Sequence, residues 1–130
     1  MTGLVLALLL AQQPPAEDFC TRAVVYLESR GEPLRGQKAV RQTLKNRARK
    51  NGTDTCTEAK RKGQFSSVKK GMKLKNVKVS RKFLTDYEKL RMMSPVVPSC
   101  TTYFHAKSVE PSWAKSKRLV AVVHNHKFYC

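Results

Sequence analysis

Apolar positions recur at helical intervals through the first two thirds of the chain and cluster densely, as in strands, near its end. From Glu17 to Arg30, residues Phe19, Cys20, Ala23, Val24 and Leu27 repeat every three or four positions, which predicts a helix with one apolar stripe and Glu28 at its edge. Gly31 and Pro33 stop it, because glycine is the usual helix stop and the residue before a proline is driven out of helical conformation. Val40, Leu44 and Ala48 fall on one line of a second helix, predicted from Leu34 to about Lys50 and ended by Asn51-Gly52. Phe83, Leu84, Tyr87 and Leu90 predict a third, with Ser80 as its N-cap and Ser94-Pro95 and Pro98 closing the segment. Thr101 to His105 and Val120 to Tyr129 are rich in β-branched and aromatic residues and predict strands, joined across a loop or short helix containing Pro111 and Trp113. Helices first and a small hairpin or sheet last is an α+β order, and no repeat or linker divides residues 17–130 into two domains.

Charge adds a partner to this picture. The 130 residues hold 26 Lys plus Arg against 9 Asp plus Glu, a net charge of +17, which attracts polyanions: nucleic acid, an acidic membrane surface or anionic wall polymers. Residues 58–91 carry twelve of the basic side chains against three acids, and the first half of that stretch reads as loop. With Tyr and Phe nearby it supports a nucleic-acid-binding reading, although no helix-turn-helix, zinc-finger or ribonucleoprotein-type signature accompanies it. The apolar run Gly3–Ala11 within residues 1–16 is far shorter than the roughly 20 residues a spanning helix needs, so it reads as an export signal or membrane tether. Cys20, Cys56, Cys100 and Cys130 are even in number and lack a C-x-x-C pair, which points to disulfides and export and leaves three pairings open.

Two clusters carry candidate chemistry. Glu28-Ser29-Arg30-Gly31-Glu32 puts a carboxylate beside a buried helix face, where desolvation raises its pKa and lets it hold a proton for general acid catalysis. His105, His124 and His126 with Cys130 raise the question of a metal. No C-x-x-C or H-E-x-x-H spacing supports one, so neither a metal nor a cofactor is predicted.

Taken in order, the local pieces resemble the cell-wall hydrolases typified by spore-cortex lytic enzymes and related phage endolysins. Cys20 to Glu32 is similar to the family's C-x-x-A-V-x-Y-x-E-[SA]-R-G-E and runs on as PLRGQKAVRQTLKNRAR. Asp54-Thr55-Cys56, Gln64-Phe65-Ser66 and the terminal block from Thr101 to Tyr129, with its Y-F-H-A, P-x-W-A and N-H-x-F-Y elements, follow in the family's order. Where the family often continues after Q-F-S with an aromatic residue and a short acidic turn, this chain has Ser67-Val68-Lys69-Lys70.

The resemblance implies a small lysozyme-like catalytic domain over residues 17–130 that cleaves the glycan strands of peptidoglycan in the manner of a lytic transglycosylase. Glu28 stands at the position of the acid and base, and one carboxylate suffices when the sugar's own 6-hydroxyl replaces water. The resemblance further implies that Gln64, Phe65, Ser66, Tyr103, His105 and His126 contact substrate, with Glu32 beside them in a binding or orienting role and Trp113 either stacking on sugar or filling the core. It implies that Cys20 pairs with Cys56 and Cys100 with Cys130. The basic region 60–82 is expected to hold the chain, as a monomer, on anionic wall polymers or a membrane surface. The expected location is periplasmic or extracellular, on a bacterial wall or in a phage virion. A wall-binding module without activity is the third reading after the enzyme and the nucleic-acid binder.

Overall fold

A computed structural model of the chain describes residues 18–61, 65 and 67–130; the apolar segment 1–16 and the expected substrate contacts Gln64 and Ser66 lie outside them. Helix α1, Asp18–Ser29, buries a wider face than one stripe, because Ala23, Val24 and Val25 are all interior, while Phe19, expected within the stripe, is exposed in the first turn. Val24 joins a cluster with Cys20, Leu44, Ala59, Phe65 and Leu74. Val25 joins a second cluster with Val40, Phe83, Tyr87, Leu90, Val123 and Phe128. The helix therefore runs between two halves of the core, and that is why it tolerates no polar residue from Ala23 to Val25.

Helix α2, Leu34–Asn51, packs along α1 and ends where Gly52 takes φ 63° and returns its N–H to the carbonyls of Ala48 and Arg49. A side chain there would be strained in the left-handed region, so glycine fits the stop. A six-residue helix that the loop reading did not foresee, α3 at Thr55–Lys60, starts where the Asp54 carboxylate accepts from the Thr57 N–H at 2.7 Å. Its Cys56 is bonded to Cys20, and Cys100 is bonded to Cys130. A single 3-10 turn at Leu74–Asn76 leads to α4, Arg81–Arg91, whose N-terminus is capped by Ser80, its hydroxyl accepting from Phe83 N–H at 3.1 Å. Phe83, Tyr87 and Leu90 face inward, while Leu84 lies outside the buried stripe.

Three strands make an antiparallel sheet in the order β1-β3-β2: β1 at Tyr103–Ala106, β2 at Leu119–Val123 and β3 at His126–Tyr129. The stretch 120–129, expected as one strand, is thus a hairpin folded at His124-Asn125, with His124 at φ 51°. A two-residue hairpin loop needs a positive φ at its first position, and histidine supplies it here. A 3-10 turn, Ser112–Ser116, carries Trp113 between β1 and β2.

The Cys20–Cys56 bond ties α1 to α3 across 36 positions. Replacing both cysteines by alanine should lower stability by about 2–4 kcal/mol through the loop freed in the unfolded chain. Urea unfolding measures it, and an unchanged midpoint would show that the α1–α3 contact does not depend on the bond.

Candidate active site

Glu28 sits in the last turn of α1, half-buried, and the loop after Phe65 closes over it. The Ser67 hydroxyl donates to Glu28 Oε2 at 3.0 Å, and the Ser67 N–H approaches Oε1 at 3.4 Å. Burial pushes the Glu28 carboxyl above its ordinary value; the two Ser67 contacts and the charges of His126 and Lys69 oppose this without cancelling it. Ser67→Ala removes the strongest of those opposing interactions, so Glu28 should titrate at still higher pH. The ¹³Cδ shift of Glu28 followed against pH reads this directly, and a downward move would contradict the geometry.

Glu32 has the opposite environment four residues on. Its carboxylate is buried and meets the β2–β3 turn from below: His124 Nδ1 and His126 Nδ1 both bond to it, the latter at 2.7 Å, with Asn125 N–H at 3.1 Å and Asn125 Nδ2 at 3.4 Å. Burial alone would raise this carboxyl, but the bonds from His124, His126 and Asn125 together outweigh it and hold Glu32 below the ordinary range. An ionised carboxylate only accepts, so both histidines donate through Nδ1. The corner is close-packed: a Cβ on Gly36 would lie 3.0 Å from Glu32 Cβ, so a side chain there would press on Glu32 and make it give way.

The placement divides the remaining expected contacts. Phe65 is 3% exposed and packs on Phe104 with ring centroids 5.9 Å apart, so it is a core residue and not an open face for sugar. His126 is likewise buried, between Phe104 and Phe128, with Nδ1 committed to Glu32. Strand alternation sends Tyr103 and His105 to the opposite face of the sheet from Phe104 and His126. There His105 bonds to the Ala106 carbonyl at 2.7 Å and lies 2.8 Å from the Tyr129 hydroxyl. Trp113 packs against Tyr103, His105 and Tyr129 and covers that outer face. One group links the two sides: buried Arg47 stacks on both Phe65 and Tyr103, at 5.0 and 4.6 Å, while its Nε donates to the Thr102 carbonyl at 2.8 Å.

The three histidines and Cys130 do not converge, since His105 lies across the sheet, His124 and His126 share Glu32, and Cys130 is bonded to Cys100. Among the described residues no group of three or more His, Cys, Asp or Glu is placed to hold a metal ion. Sequence reasoning missed Ser67 and Asn125 as site residues and weighed His124 only as a metal ligand. The only available signals were a second serine after Q-F-S and the residues beside His126.

A family model described as cell wall hydrolase matches residues 31–129, most of the chain, starting just after Glu28. No curated protein gives a match, and no solved structure does.

Proposed function

The chain belongs to the cell wall hydrolase family, which acts on peptidoglycan, and from that premise we propose that it cleaves the glycan strand with Glu28 as both acid and base. The observation that carries this is the contrast between two carboxyls four residues apart. Glu28 is desolvated and holds its proton to higher pH, whereas Glu32 is kept ionised with its lone pairs occupied by the hairpin turn. Environments that push two carboxyls apart in this way assign their roles: one can donate a proton, the other orients.

A hydrolysis through water ordinarily uses two carboxylates across the scissile bond, and Glu32 is not free to be the second. A lytic transglycosylase step needs only one. Glu28 gives its proton to the glycosidic oxygen as the C1–O bond breaks. The resulting carboxylate then takes the proton of the 6-hydroxyl as O6 attacks C1, which closes a 1,6-anhydro ring and returns Glu28 to its starting form. Ser67 fits both stages, because its hydroxyl can stay bonded to the carboxyl in either protonation state.

The wider setting follows from the same reading. Two disulfides suit an oxidising compartment, so the proposed place of action is outside the cytoplasm, on the wall or in a virion that meets it. No helix among the described residues is long and apolar enough to cross a membrane. The protein is proposed to work as a monomer. The basic region 60–82 holds it to anionic wall polymers or an acidic surface. Mass spectrometry of the products from purified sacculi tests the reaction. Anhydro-muropeptides support the proposed step, and products with a free reducing end would require a second carboxylate and a water route.

A further inference from the structure

The loop that holds Glu28 also builds a second feature. After Ser67, residues Val68 to Lys73 turn back through Gly71, at φ 79°, and with the end of α3 line a groove of about 560 Å³. Lys60, Arg61, Lys69, Lys70 and Lys73 line it, with Val68 and Met72 as its apolar part. A second groove of about 350 Å³ shares Lys60, Met72 and Lys73 with the first and continues past the Cys20–Cys56 bond to Lys75. No Asp or Glu among the described residues lines either one. Of the lining cations, Arg61 is bonded to Glu58 at 3.0 Å.

Cations repeated along two connected grooves match an anion that itself repeats along a flexible chain. The apolar strip between them suits methylene groups. Single-stranded nucleic acid sites set successive bases on several aromatic rings, whereas the described lining of the main groove has no ring and that of the second has Phe19 alone. A flat membrane surface would meet the rims and leave the concave interior unused. One chain segment links the groove to Glu28: Ser67 bonds to that carboxyl and Lys69 acts on it electrostatically, while Lys69 lines the groove. The charged groups acting on Glu28 are Lys69 from this loop and His126 from β3.

We propose that this groove binds a linear phosphate-linked polymer, and that a bound chain acts on Glu28 through the Ser67–Lys69 segment. The second half rests on the reading of Glu28 as the working carboxylate. A phosphate beside Lys69 offsets a charge that favours ionised Glu28, so the carboxyl keeps its proton to higher pH when the groove is filled. The polymer would then help hold the acid form ready where wall polymer is dense.

Linear inorganic polyphosphate is the probe, titrated calorimetrically into the full chain over a range of salt. The comparison is between wild type, Lys70→Gln/Lys73→Gln, and a charge-matched control, Lys107→Gln/Lys115→Gln, at exposed positions outside both grooves. Wild type and control should bind alike. The groove variant should bind roughly tenfold or more weakly, with the slope of log affinity against log salt reduced by about two, one for each lysine lost. The ¹³Cδ titration of Glu28 should move upward with polyphosphate in wild type and stay in place in the groove variant. Equal losses in groove variant and control would overturn the site, leaving only general charge attraction. Groove-dependent binding of a single-stranded DNA oligonucleotide as tight as that of polyphosphate would reassign it to nucleic acid. Groove-dependent binding of phosphatidylglycerol vesicles without polyphosphate binding would reassign it to lipid. A Glu28 midpoint unmoved by bound polyphosphate would remove the coupling. None of these readouts needs cleavage of sacculi, so a failure of the proposed activity is seen separately.

Discussion

Glu28→Gln should digest sacculi about 10²–10⁴-fold more slowly than wild type while folding as well or slightly better. The activity loss follows from chemistry: the amide keeps the side chain's shape and its contact with Ser67, but it has no proton of carboxylic acidity to give to the glycosidic oxygen. The stability half follows from linkage. Glu28 in the folded protein holds its proton above the ordinary value of 4.5, so between those two points the folded state binds more protons than the unfolded one. Stability therefore falls as pH rises through that window, and above it the ionised, partly buried carboxylate is a burden that glutamine does not carry. Digestion kinetics beside thermal unfolding at several pH values measure both. A variant that still cuts at more than about a tenth of the wild-type rate would show that Glu28 is not the acid. A variant that is inactive and also strongly destabilised would show that the carboxylate holds structure, as the bonds of Glu32 to the hairpin turn do.

How much of this was legible in the chain depends on whether the determining interaction is local. Ser80 three residues before Phe83, and Gly52 after the last apolar position of α2, act through their own neighbours, so the helix ends were readable. The breadth of α1 was not, because Val25 is buried by Phe83, Val123 and Phe128, which lie far away in sequence. The His124-Asn125 turn lacked the usual Asn-Gly or Asp-Gly mark, and a run of valines on one side and aromatics on the other reads as one strand until Glu32 fixes the corner. Helix α3 is too short for periodicity and depends on Asp54 and a disulfide partner 36 positions away. In the site, the family resemblance pointed to Glu28, yet it could not separate residues that would touch sugar from residues that place others. Phe65 and His126 are aromatic or polar and stand in motifs, but their burial is set by Phe104 and Glu32. That Ser67 meets Glu28 is likewise a matter of the loop's path, on which composition is silent.

Glu32→Ala should cost about 3–5 kcal/mol, more than any other single change considered, and should also disable digestion although Glu28 is untouched. The side chain is 5% exposed and is the common acceptor for the backbone N–H of Asn125 and the rings of His124 and His126. Alanine leaves the buried His126 ring and that N–H without partners, and an unmatched buried donor costs more than the bond itself contributed. With the turn released, His126 is free to leave its place between Phe104 and Phe128, and Phe104, on which Phe65 of the loop over Glu28 packs, loses that support. The pH dependence identifies the cause. Glu32 is held below its ordinary value of 4.5, so the unfolded chain binds its proton more tightly, and the clamp contributes fully above that value and is lost as pH falls through the lower, folded one. Wild type and variant should therefore differ most near neutrality and converge in acid. Denaturant unfolding across pH, with amide exchange read at Asn125, measures this. Glu32→Gln serves as the milder partner, since one amide oxygen can still accept while the charge is gone. If Glu32→Ala unfolds within about 1 kcal/mol of wild type at pH 7, the hairpin turn is held by the sheet alone and Glu32 is not its clamp.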